Sequence, residues 1–135
     1  MLSLTSVETQ AIIEFVTVLR NEFESDLFGV VLYGSKARND ATTDSDIDLL
    51  VILSDDDWQT RKKVSHLSAA ISIDYDALLM PKIVPVARWR QMVMTPFSFY
   101  RAVFQDGLPV YGEPVIFAPL VHRDVALFYD TAVTV

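Results

Sequence analysis

Apolar residues recur at helical spacing near the start of the chain: Ile12, Val16, Leu19 and Phe23 form one stripe, and Glu8, Glu14, Arg20 and Glu22 fall off it. That period predicts an amphipathic helix over residues 7–25 that packs on a sheet. Thr5, Ser6, Val7 and Glu8 have the spacing of a capping box at its start. The pattern then changes to apolar runs. Residues 28–33 read as a strand, and residues 46–53 as a second, with Ile47, Leu49, Val51 and Leu53 in one alternation phase. Leu50 and Ile52 make the later part of this second strand apolar on both faces, so it is expected to be buried on both.

Ser54, Asp55, Asp56 and Asp57 offer capping and favourable charge to a helix over residues 57–71, with Val64, Leu67 and Ile71 facing inward. A third strand is expected over 73–80, ending at Pro81. Short helices follow over 86–94 and 97–105, separated by Pro96, and the second is stopped by Asp106-Gly107. Residues 108–111 fit an edge strand, where the missing N–H of Pro109 is tolerated. Beyond Gly112, Pro114 and Pro119 break the chain and residues 122–131 suggest a last helix. The apolar stretches at 115–117 and 125–129 are expected to cover the sheet or to form an interface, in a homodimer or with a separate protein.

With 135 residues, 51% of them hydrophobic, and a mean hydropathy of +0.29, the chain is expected to be a single domain over 1–135 with a well-filled core. No run approaches the ~20 apolar residues that span a bilayer, and the start Met1-Leu2-Ser3-Leu4 has no basic, signal-like character. The absence of Cys and the presence of only 2 His exclude a disulfide framework and a zinc centre, which points to the cytoplasm. A net charge of −7 argues against gripping extended nucleic acid, which requires a basic stripe to displace counterions.

The chemistry concentrates in residues 33–48. Tyr33-Gly34-Ser35-Lys36-Ala37-Arg38 follows the first strand and precedes one helical turn, so its backbone amides are suited to an anion. Gly34 permits close approach, Ser35 adds a hydroxyl, and Lys36 and Arg38 add cationic donors. Asp46 and Asp48 share a strand face, as i and i+2 do, and hard oxygen ligands of this kind suit Mg²⁺. A Gly-Ser pair alone is commonly just a turn, and Asp44-Ser45-Asp46-Ile47-Asp48 alone reads equally well as a solvated loop. Together they point to phosphoryl or nucleotidyl transfer.

These motifs, with Ala37-Arg38 and the apolar strand behind Asp48, resemble the nucleotidyltransferase superfamily typified by DNA polymerase beta. The closest likeness is to small stand-alone members such as the minimal nucleotidyltransferases encoded beside HEPN-type toxins. The resemblance covers roughly residues 28–112, leaving 113–135 as an extension, and departs at Asn39, where the family commonly has Gly. It implies an α/β (α+β) domain with a mixed, twisted sheet and flanking helices. It also implies a third metal carboxylate on a neighbouring strand, for which Asp76 is the first choice and Asp74 the fallback, with two Mg²⁺ ions about 3.5–4 Å apart. The implied reaction moves a nucleoside monophosphate, by first guess AMP from ATP, to an acceptor hydroxyl such as one on a HEPN-type toxin partner. Two alternatives stay open: an antitoxin that neutralises its partner by contact alone, and an enzyme modifying a small molecule of the aminoglycoside type.

Overall fold

The computed structural model describes residues 4–38, 46–92, 98–117 and 120. Four strands form one sheet in the order β3-β2-β1-β4. The chain enters through α1 (Ser6–Phe23), capped as the sequence predicts: Glu8 donates its amide to Thr5 Oγ1 at 3.1 Å, and Thr5 donates its amide to Glu8 Oε1 at 2.9 Å. A 3-10 turn leads into β1 (Leu27–Tyr33), and one short helix, α2 (Ser35–Arg38), follows. β2 (Ile47–Leu53) lies antiparallel to β1, and α3 (Trp58–Tyr75) carries the chain to β3 (Leu79–Pro85), which lies parallel to β2. Then come α4 (Val86–Met92), α5 (Ser98–Asp106) and β4 (Leu108–Gly112), which returns antiparallel to β1.

Both faces of the sheet are covered, which explains why β2 is apolar in both phases. Val30, Leu32, Leu49, Val51 and Leu53 pack against α1 and α3; Val31, Leu50, Ile52 and Val84 pack against Trp89 and Met92 of α4 and Val103 of α5. Trp89 meets Phe104 edge-on at 5.5 Å and donates its indole N–H to the Ile116 carbonyl at 2.7 Å. Phe104 is therefore a packing residue. Among the described residues no helix is long and apolar enough to cross a membrane. The helix expected over 122–131 lies outside the described residues.

One element differs from expectation. The strand predicted over 73–80 is instead the last turn of α3, a short connection and the first two residues of β3. Ile73, Tyr75 and Ala77 alternate with Asp74 and Asp76 as strand residues do, but Leu67, Ile71 and Tyr75 also keep helical spacing, and the helix prevails. It stops at Asp76, which adopts the left-handed conformation (φ 50°, ψ 46°), while Ala77 donates its amide to the Ser72 carbonyl at 3.1 Å. That is the chemistry of a helix C-terminus, and Asp tolerates it better than most residues. Asp57 caps the other end of α3 by accepting the Thr60 amide at 2.8 Å, the role the acidic run 55–57 suggested.

Pro81 thus lies inside β3 rather than after it, at an edge that allows this. Ile47 donates to the Leu78 carbonyl, so even-numbered residues of β3 turn their backbone groups toward β2 and odd-numbered ones turn outward. Of the outward positions, Leu79 donates to Ser72 Oγ at 3.0 Å, and Pro81 and Pro85 have no N–H. The edge is therefore a poor template for another strand. Replacing Pro81 with Thr restores an outward donor; light scattering at rising concentration is expected to show increased self-association with little change in Tm.

Candidate functional site

β1 and β2 pair so that Tyr33, the last residue of one, faces Asp48, the second residue of the other. The turn after β1 and the acids at the start of β2 therefore meet at one end of the sheet. Gly34 has φ +76°, and a Cβ there would run into Asp48 Oδ2 and lie 3.2 Å from Asp48 Cγ. Glycine is required twice over, for the left-handed backbone and for the carboxylate resting against it. Ala37 and Arg38 both donate their amides to the Gly34 carbonyl at 3.1 Å, which closes the turn. The amides of Ser35 and Lys36 precede these in the first turn, where a helix has no acceptor of its own to offer.

Asp48 sits in the same alternation phase as Leu50 and Ile52, on the sheet face covered by α4 and α5, and Asp46 shares that phase just before the strand. Burial holds the Asp48 carboxyl above the usual carboxylate range, the Asp46 charge raises it further, and the Arg38 guanidinium pulls it partly back. Arg38 is therefore close enough to Asp48 to be felt. Tyr33, a site residue the sequence reading passed over, has its hydroxyl pushed up by burial and then by Asp48. Its place could have been read from the β1–β2 register had that been known. Two acids that repel one another, Asp48 half-buried and Asp46 exposed, fit a divalent cation, whose charge relieves both.

Two expected site residues lie elsewhere. Lys36 is buried, its side chain 1% exposed, with Nζ 2.9 Å from Glu8 Oε2. Its ammonium is thereby held by the first turn of α1, in a buried position. Asp76 is an exposed helix-ending residue and does not stand on the sheet face with Asp48. Asp74 is likewise helical. The β3 residue that pairs with Asp48 is Met80, and the next on that face is Lys82. Misplacing the strand hid both. Among the described residues no group of three His, Cys, Asp or Glu is gathered as a metal site.

A cavity of about 560 Å³ lies at the opposite end of the sheet, lined by Arg20, Phe28, Arg90, Tyr111 and Val115 among others. Its arginines stack on its aromatics, Arg20 over Tyr111 at 5.1 Å and Arg90 over Phe28 at 5.9 Å. It begins where β1 begins, about 20 Å of strand away from Gly34, and takes no part in the acid site.

The chain is similar to several known proteins. The sequence profile of the nucleotidyltransferase domain matches residues 12–95. A candidate protein adenylyltransferase of Methanocaldococcus jannaschii is 29% identical over 104 residues, which is 77% of this chain and 98% of that protein. Among solved structures, a toxin–antitoxin pair with AMP-PNP is similar at TM-score 0.49 and 17% identity, covering 90% of this chain and 84% of the other. The tri-AMPylated HEPN toxin of Shewanella oneidensis in complex with its MNT antitoxin is similar at TM-score 0.44 and 17% identity, covering 93% and 84%.

Two outcomes are expected at this site. Because the folded pKa of Asp48 lies above its unfolded value, stability falls as pH rises from the ordinary carboxylate range through the raised value, and the penalty is then constant at neutral pH. Asp48→Asn removes that penalty and is expected to raise the Tm of the ligand-free protein at pH 7, while abolishing any rise in Tm on adding Mg²⁺. Gly34→Ala is expected to cost about 1–2 kcal/mol for the left-handed backbone alone, measured by urea unfolding, with further loss from the displaced Asp48 carboxylate.

Proposed function

Because the chain belongs to the nucleotidyltransferase-domain family, we propose that it transfers AMP from ATP to a hydroxyl on a partner protein, with Asp46 and Asp48 holding Mg²⁺ at the α-phosphate. The observation that carries this reading is the Asp48 carboxylate resting against Gly34, which joins a metal acid to an anion-binding turn. Ser35 and the first amides of α2 are suited to the β- and γ-phosphates, and Arg38 adds a guanidinium that already acts on Asp48. In the reaction, the acceptor oxygen bonds to the α-phosphorus, the bond from that phosphorus to the bridging oxygen breaks, pyrophosphate leaves, and the hydroxyl proton passes to solvent. Bound Mg²⁺ supplies charge neutralisation for the triphosphate and the leaving group. What the chain itself does is orientation: Gly34 lets the phosphates approach, and the two acids fix the metal relative to the turn.

A protein acceptor is supported by the relative from Methanocaldococcus jannaschii and by the surface beside the acids. Leu78 and Met80 are 54% and 45% exposed, and Ile73, at the end of α3, is 80% exposed. This apolar lip borders the start of β2, because Ile47 bonds the Leu78 carbonyl and Asp48 pairs with Met80. A HEPN-type toxin is the partner to test first.

A second reading, neutralisation by contact alone, draws on one observation: β3 offers Met80 and Lys82 where the third carboxylate was expected. Incubation with Mg²⁺ and α-labelled ATP, with and without the product of the neighbouring gene, separates the two. Under the transfer reading, Asp46→Asn and Asp48→Asn each cut label transfer by about 10³-fold or more and abolish neutralisation of the partner. Neutralisation that survives both substitutions would leave contact as the function.

A further inference from the structure

An isolated turn of four residues does not hold its own position in water, since nucleation costs more than its few hydrogen bonds return. α2 is that short, yet the proposed phosphate contacts depend on where it sits. One side of the turn is set by Gly34 against Asp48. The other side is set by Lys36, whose ammonium is gripped by Glu8 Oε2 at 2.9 Å while Glu8 Oε1 accepts the Thr5 amide at 2.9 Å. A single carboxylate thus closes the cap of α1 and anchors α2, 28 residues further on. The side chains are 1% and 10% exposed, so water does not compete for the bond.

Stability alone is a weak reason for this arrangement, because well-packed apolar residues of the same volume commonly serve as well as a buried ion pair or better. What an apolar pair cannot supply is direction. A charge-assisted bond fixes the distance and angle of Lys36, and through it the adjoining backbone of Ser35 and Gly34.

We propose that Glu8 and Lys36 are a positioning pair: their buried bond sets the Gly34–Ser35 turn against Asp48 and thereby governs nucleotide affinity, although neither residue touches the nucleotide. This rests on reading that turn and those acids as the nucleotide site. The pair also makes the first turn of α1 part of the active-site frame, far from it in sequence.

The test uses the full chain carrying Glu8→Gln and Lys36→Met together, which leaves neutral side chains of similar size in place of the pair. Urea unfolding is expected to return a midpoint close to that of the parent, whereas Lys36→Met alone shifts the midpoint well below it by stranding a buried carboxylate. In the double variant, amide hydrogen exchange at Ala37 and Arg38, which bond Gly34, is expected to quicken at least about tenfold, and KM for ATP to rise about tenfold with a smaller change in kcat. Glu8→Gln alone, which keeps an acceptor for Lys36, is expected to fall between, and it carries the same measurements should the double variant not fold. Exchange and KM both equal to those of the parent would show the pair to be filler and overturn the proposal. Absence of transfer by the parent chain would instead overturn the nucleotide-site reading, while the exchange rates still decide whether the pair holds the turn.

Discussion

The pairing of Tyr33 with Asp48 is the contact on which the functional end of this molecule depends. Antiparallel pairing brings the last residue of one strand beside an early residue of the next. The turn at Gly34 and the carboxylate of Asp48 are thereby forced into van der Waals contact, with no room for a side chain between them. A slip of one residue in this register would turn every β2 side chain to the opposite face and bury Asp48 against α1 and α3. The apolar residues on both faces of β2 guard against that slip only collectively, since both phases are hydrophobic beyond Asp48. The acid at position 48 is itself the marker that distinguishes them.

Charge is handled in two opposite ways within one turn of chain. Lys36 and Glu8 are buried together and compensated, with the carboxylate's second oxygen also occupied by a backbone amide. Asp46 and Asp48 are left as neighbours of like sign, and the burial of Asp48 raises the cost of its charge, with Arg38 as partial relief. A protein that tuned these residues for stability alone would have neutralised the acids. Under the proposed reading an incoming cation would relieve that strain, and perturbed carboxylates of this kind cluster at functional sites.

The edge strand shows the same separation of roles. Pro81, Pro85 and the Ser72 hydroxyl remove three of the four outward donors of β3, at positions 79, 81 and 85, while Leu78 and Met80 leave apolar surface beside the acids. A partner approaching this end meets side chains rather than an open backbone ladder. Under the proposed reading, recognition there would depend on shape and apolar contact rather than on strand pairing.

What the sequence determined by itself was local. The capping box at Thr5 and Glu8, the cap at Asp57, the glycine-bearing turn, the apolar strands and the shared phase of Asp46 and Asp48 all follow from short-range periodicity and backbone chemistry, and each is found in the structure. Residues 73–77 satisfied two periods at once, and packing of Ile71 and Tyr75 against the layer shared with α1 accompanies a helix that runs on through Tyr75. That decision moved Asp76 off the sheet and brought Met80 and Lys82 onto it. The fate of Lys36 was equally beyond reach of pattern, since nothing in a sequence separates a cation that meets phosphate from one that meets a carboxylate 28 residues earlier. Both outcomes turn on which distant groups share a buried space, and the energy of a buried charge or a helix end depends on those neighbours more than on the residues beside it in the chain.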